Sequence, residues 1–207
     1  MWPISTKTLA GLAIFVGGVA VSNAAQPLKA DPAKAIPIVE QSCVGCHGMD
    51  GNSPVPNFPK LAGQHFEYLL QEMQAYKTEH RQNEIMSPFV KELSKQDMIN
   101  LAAYFAAQKP APGVVTEPGL LALGKKLYLE GNPETGLPAC EGCHGEYGEG
   151  SPRYTRVAGQ NVEYTLEQFR LSAAGKRQFS KKVMRIVAER TTEQEIRAIA
   201  EYMASLP

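Results

Sequence analysis

Cys43-Val44-Gly45-Cys46-His47 and Cys140-Glu141-Gly142-Cys143-His144 decide how this chain is read. In each pentapeptide two thiols stand three residues apart, so one helical turn carries both on the same side. A histidine follows at once. This is the spacing that ties a haem covalently through the two vinyl groups on one edge, with the imidazole turned over the ring toward iron. Rival chemistries fit less well. A structural zinc ion takes four ligands, and each motif supplies three. A thioredoxin-type dithiol needs a βαβ context, and neither motif has one. Two disulfides would also use four cysteines, but these are grouped in close pairs that each precede a histidine.

The similarity of the two stretches extends well beyond them. Ala62-Gly63-Gln64 recurs 96 residues later as Ala158-Gly159-Gln160. Phe66, Tyr68, Leu70 and Met73 align at the same offset with Val162, Tyr164, Leu166 and Phe169. Met86 aligns with Met184, and Tyr104 with Tyr202, at an offset of 98. One unit is therefore used twice, and each copy must enclose its own core. The stretch from Lys109 to Gly119 is rich in proline and glycine and has no periodicity, so it reads as a proline-stiffened linker. The expected organisation is an N-terminal domain at 25–109, a linker at 110–119 and a C-terminal domain at 120–207.

Within each copy the apolar period is helical. Phe66, Leu69, Leu70 and Met73 follow i, i+3, i+4, i+7, as do Met98, Leu101, Ala102 and Phe105, and then Ile196, Ile199, Ala200 and Met203. Thr192 with Glu195 forms a capping box, and Ser94 with Asp97 is a looser version of one. Strand-like alternation is missing. The fold class is all-α, with three to five short helices per domain.

His47 and His144 supply one axial ligand to each iron, and the second must come from downstream. Met86 lies 39 residues after His47 and Met184 lies 40 after His144. The repeat aligns them, and both fall in loop-like stretches before the last helix. A thioether on the far side of the haem raises its reduction potential. Met73, Met98 and Met203 lie on apolar helix stripes and read as core. His65 and His80 are rivals in the first domain alone, since Asn161 stands at the position equivalent to His65. The free N–H of each proximal imidazole needs a carbonyl partner, for which Pro56 and Pro152 are the candidates.

The 207 residues carry 21 basic and 21 acidic side chains, a balance that gives no pull toward nucleic acid. Lys7, the apolar run Leu9 to Val21 and the small residues Ser22-Asn23-Ala24 read as a cleaved export signal over 1–24, which places the mature chain in the periplasm. Charge is uneven at 170–190, where Arg170, Lys176, Arg177, Lys181, Lys182, Arg185 and Arg190 face one acid, Glu189. A basic patch near Met184 would steer an acidic docking partner.

These residues resemble the dihaem cytochrome c4 family. The resemblance covers about 31–207 and rests on the two C-x-x-C-H motifs and on Gly51-Asn52-Ser53-Pro54. It also rests on Phe58-Pro59-Lys60-Leu61-Ala62-Gly63-Gln64, Met86-Ser87-Pro88, Gly124-Lys125-Lys126-Leu127-Tyr128, Val157-Ala158-Gly159-Gln160 and Met184. It implies two tandem class I cytochrome c domains related by pseudo-twofold symmetry. Each would enclose one covalent haem c, held by Cys43 and Cys46 or by Cys140 and Cys143. It further implies a periplasmic electron carrier between an upstream reductase and a terminal oxidase, loosely attached to the membrane. The first domain departs from the pattern: it lacks the Gly-x-x-Leu-Tyr start, and Pro37 predicts a short or late first helix. Thr155 stands where the first domain has Pro59. Two six-coordinate irons leave no open site for substrate, so the expected chemistry is outer-sphere one-electron transfer and not catalysis. The alternatives are a dihaem subunit of a flavocytochrome-type sulfide dehydrogenase and, more remotely, a dihaem peroxidase.

Overall fold

In the computed structural model, which describes residues 29–177 and 182–207, helices carry the backbone. The export-signal reading at 1–24, and Lys181 of the basic run, lie outside the described residues. The strand-type contacts among those residues are isolated antiparallel bridges, Asn132 with Leu137 and Ser151 with Tyr154.

The first half opens with a 3-10 turn at Pro32–Ala35. Asp31 caps it by accepting the Ala33 N–H, and Pro32 takes a first-turn position where its missing N–H costs nothing. The backbone stays helical through α1 (Ile36–Ile38), a π turn at Val39–Cys43 and α2 (Val44–His47). The first α-helical segment is three residues long, the short helix expected from Pro37. Pro37 sits at the start of α1, and the ladder widens after it, with the Val44 N–H reaching the Val39 carbonyl. Helices α3 (Phe66–Lys77), α4 (Met86–Lys91) and α5 (Lys95–Ala106) complete this half. The second half has a 3-10 turn at Pro118–Leu120, then α6 (Leu121–Glu130), α7 (Glu141–His144), α8 (Val162–Ala173), α9 (Val183–Glu189) and α10 (Glu193–Ser205). Both capping boxes form in full, Ser94 with Asp97 and Thr192 with Glu195.

The first and last helices of the second half cross at Gly124. A Cβ there would stand 2.0 Å from the Ala198 carbonyl oxygen, so only glycine permits this approach. The first half closes the same corner differently. Asn100, at the position equivalent to Ala198, accepts the Asp31 N–H at 3.0 Å. The absent glycine motif is therefore replaced by a side-chain cap on the entering turn. Leu127, Tyr128, Phe169, Ile199 and Met203 build the core of the second half, and Val39, Leu69, Leu101, Ala102 and Phe105 that of the first.

The proline-rich linker is strapped down along its length. The Gly113 N–H donates to Ala204 O at 2.8 Å, and the Thr116 N–H donates to the fully buried Glu201 carboxylate at 2.8 Å. Lys60 Nζ reaches back from the first half to the carbonyls of Ala111 and Pro112, at 2.9 and 2.6 Å.

The contact between halves is a set of paired bonds that recur with the halves exchanged. The Lys60 N–H donates to Gln160 Oε1 at 2.9 Å, and Gln160 Nε2 donates to Lys60 O at 3.1 Å. Their repeat equivalents do the same: the Arg156 N–H donates to Gln64 Oε1 and Gln64 Nε2 donates to Arg156 O, both at 2.9 Å. His65 Nε2 meets Glu149 O at 2.9 Å, while its equivalent Asn161 donates to Val55 O at 3.1 Å and Phe58 O at 2.9 Å. Arg156 reaches the carbonyl of Pro207 as Lys60 reaches that of Ala111, 96 residues earlier. Such exchange is what a twofold relation between two copies of one unit produces.

Candidate functional site

Both C-x-x-C-H motifs end a helical turn, α2 and α7, and each stops at a glycine with positive φ, Gly48 at 75° and Gly145 at 82°. That left-handed residue turns the chain away directly after the histidine. His47 and His144 are buried, 5% and 9% exposed, although they are the basic residues of short surface turns. Such burial needs a partner for each ring. His47 Nδ1–H donates to the Pro59 carbonyl at 2.9 Å, and His144 Nδ1–H donates to the Thr155 carbonyl at 2.9 Å. A donor proton on Nδ1 leaves Nε2 as the lone-pair nitrogen available to a metal.

The expected carbonyls, Pro56 and Pro152, are not the ones used. Pro56 O instead accepts the Tyr164 N–H from the other half at 3.1 Å. The loop has to run three residues further before its backbone passes over the ring. Pro59 and Thr155 are repeat equivalents that differ in type, which hid their common role, because a backbone carbonyl serves whatever the side chain. The ring neighbours are also equivalent: Phe58 lies 6.4 Å from His47 and Tyr154 lies 6.5 Å from His144, both edge-on.

Burial pushes both imidazole pKa values below the ordinary 6.5, against the raising pull of the carbonyl bonds, and the nearby Arg177 charge lowers His144 further. Both rings are thus neutral near pH 7, the form that binds metal. The thiols behave unlike a redox dithiol. All four are free, with burial raising Cys43 to about 11 and Cys140 to about 12, aided by the neighbouring Cys46 and Cys143 respectively. A disulfide-exchanging C-x-x-C lowers its nucleophile instead.

Met86 and Met184 stand in helices and not in loops. Met86 is the first residue of α4, its N–H held by Asn83 Oδ1 at 2.8 Å, and Met184 lies in the first turn of α9. In the second half Met184 and Cys140 pack on one apolar cluster. In the first half Met86 and Cys43 pack on two clusters that share Leu70, Met73 and Leu93. Each methionine is flanked by large exposed apolar side chains, Ile85 and Phe89 beside Met86, Val183 and Ile186 beside Met184. Neutral nitrogen, thioether and free thiols amid uncovered apolar surface are a donor set and setting that fit a covalently held porphyrin.

The rivals fall away on position. His65 is engaged across the domain contact, and His80 is exposed with Nδ1 on Thr78 Oγ1 at 2.9 Å. Met98 and Met203 are core, 4% exposed each. Of the expected basic run, Arg170 pairs with Glu193, Arg185 pairs with Glu189, and Arg190 donates to Gly136 O. Arg177 turns inward to the Tyr68 hydroxyl, which it meets at 2.5 Å.

The family described as Cytochrome c matches residues 33–109 and again 121–207. The chain is 41% identical over 190 residues to cytochrome c4 of Thiocapsa roseopersicina, covering 89% of this chain and 97% of that protein. It is similar to the crystal structure of reduced recombinant cytochrome c4 from Pseudomonas stutzeri, with a TM-score of 0.81 and 35% identity over 86% of this chain and all of that one. A thiosulfate dehydrogenase from Marichromatium purpuratum matches at a TM-score of 0.80 and 30% identity, over 86% of this chain and 40% of the other.

Proposed function

Because the chain belongs to the cytochrome c family, and within it to the dihaem electron carriers of the cytochrome c4 type, we propose that it shuttles single electrons in the periplasm between a respiratory reductase and a terminal oxidase. It carries two covalent haem c groups and is an electron carrier, not an enzyme.

The ligand assignment is part of the same proposal. Cys43 and Cys46 hold one haem and Cys140 and Cys143 the other, with His47 and Met86 on the first iron and His144 and Met184 on the second. The observation that carries it is the pair of buried imidazoles with Nδ1–H fixed on Pro59 O and Thr155 O. That bond sets the tautomer and ring angle, and it raises ligand basicity. When bound, the haems supply a one-electron couple. The protein's part is to keep both axial ligands in place in either oxidation state, to limit water access and to hold the two halves in one relative position through Gln64 and Gln160. Domains at 25–109 and 120–207 with a linker between them, and a signal at 1–24, complete the reading. No helix among the described residues is long and apolar enough to cross a membrane.

The test is a redox titration followed by visible spectra on protein matured with haem, then oxidation of the reduced protein by a terminal oxidase. Two low-spin His–Met haems and rapid turnover by the oxidase support the proposal, and high-spin haem in either half refutes the ligand set. A second reading is favoured by the thiosulfate dehydrogenase match: this chain accepts electrons from a periplasmic sulfur-oxidising dehydrogenase. A stable complex with such an enzyme, together with reduction by it, supports that role.

A further inference from the structure

Tyr128 brackets the second C-x-x-C-H turn from both ends. It lies on α6 and is fully buried. Its main-chain carbonyl accepts the Cys140 N–H at 2.8 Å, where the turn begins. Its phenol donates to the Gly145 carbonyl at 2.6 Å, one residue past His144, where the turn ends. Between these points the turn closes on itself, with the His144 N–H on Cys140 O and the Gly145 N–H on Glu141 O, both at 2.9 Å. The Gly150 N–H reaches His144 O at 2.7 Å.

The first half reaches the same place from a different helix. Its opening segment, Pro32 to His47, contains no tyrosine. The phenol comes instead from Tyr104 on α5, the last helix of that half, and donates to the Met49 carbonyl at 2.9 Å, two residues past His47. Tyr202 is the repeat equivalent of Tyr104, and in the second half its ring lies 5.4 Å from that of Tyr128. Each half thus sets a tyrosine hydroxyl on a carbonyl just past its histidine, from the last helix in one half and from the first in the other. A contact met twice by different means serves the motif itself and not only the packing of two helices.

A buried phenol and the carbonyl it meets are both costly to leave unpaired. The left-handed glycine after each histidine has no side chain with which to hold the turn. A donor on a carbonyl just beyond it holds the chain there, and so fixes where the histidine Cα stands. The Nδ1–H bonds to Pro59 O and Thr155 O fix the ring from its other end. With Cα and Nδ1 both held, Nε2 has one place and one angle to occupy.

We propose that Tyr128 is the positioning residue of the second haem site and Tyr104 that of the first, each holding the backbone behind its histidine so that Nε2 meets iron at a set angle. This rests on the ligand assignment above.

The experiment uses the haem-loaded full chain as wild type, Tyr128→Phe and Tyr104→Phe. Phenylalanine keeps the ring and its packing and removes only the hydroxyl. The readout is electron paramagnetic resonance of the ferric protein, whose low-spin g values depend on the angle of the imidazole plane at iron. The Met86→Ala and Met184→Ala chains identify which signal belongs to which half. Tyr128→Phe is expected to shift the largest g value of the second-half signal and to leave the first-half signal in place, and Tyr104→Phe is expected to do the converse. A hydroxyl that served packing alone would lower the unfolding midpoint with both signals unmoved. An unmoved signal in the variant's own half therefore overturns the role of that tyrosine and leaves the ligand assignment standing. Tyr104 is only half-buried, so Tyr104→Phe still decides the matter if Tyr128→Phe does not fold. A wild-type chain without two low-spin His–Met signals overturns both the inference and the ligand assignment.

Discussion

The main chain of Lys60 is bonded twice to the side-chain amide of Gln160: its N–H donates at 2.9 Å and its carbonyl accepts at 3.1 Å. A single amide thereby replaces a missing strand partner for one residue of the opposite half. Gln64 does the same for Arg156. The loops so gripped are the ones whose carbonyls, at Pro59 and Thr155, meet the two histidines. Joining the halves and aiming the imidazoles are thus one structural task.

Gln64→Ala should therefore loosen more than the interface. Half-buried backbone groups of Arg156 lose both amide partners, at a cost of about 1–3 kcal/mol each where water does not replace them. Gln160→Ala should act equally through Lys60. Thermal unfolding of the haem-loaded protein checks this: a lower midpoint is expected in both variants, with wild-type stability in Gln64→Ala the contrary result.

Replacing Met86 or Met184 by alanine should change one half only. The altered half is expected to lose the ferric methionine-to-iron charge-transfer band and to drop in potential, because the thioether favours the ferrous state. The other half should keep its spectrum. Visible spectra and redox titration of both variants read this directly, and unaltered spectra in both would remove the ligand assignment.

Gly124→Ala should damage the second half selectively. The new Cβ would meet the Ala198 carbonyl at 2.0 Å, and backbone on both sides leaves little room to give. A cost of about 1–3 kcal/mol or more follows from overpacking. Denaturant unfolding followed at the haem absorption should show a lower midpoint. Leu120→Ala, at a half-buried position, is the milder control.

Stability should fall on the acid side of neutrality. Both histidines have folded-state pKa values below 6.5, the value they recover on unfolding. A group whose folded pKa is lowered binds more protons when unfolded, so its contribution is present above 6.5 and declines as pH drops below it. The unfolding midpoint should be flat above about pH 7 and fall as pH drops below 6.5. A rise over that acid window would contradict the neutral assignment of His47 and His144.

Much of the molecule could be read without coordinates, because its signals are local or repeated. The two C-x-x-C-H motifs name their cofactor by spacing alone. Duplication shows in Ala62-Gly63-Gln64 and its copy, and the helices show in apolar periods and in capping boxes only four residues long. Met86 and Met184 stood out because the repeat aligns them. What could not be read depends on which surfaces meet. The carbonyls of Pro59 and Thr155 have no residue type to betray them, since any amino acid carries one. Gln64 and Arg177 look like ordinary polar residues until the second half is laid against the first. Arg177 was read as part of a solvent-facing basic patch, yet it lies inside the domain contact, because burial of a charge is decided by partners far along the chain. Local geometry and periodicity are written in neighbouring residues. The pairing of one half with the other is a property of folded surfaces.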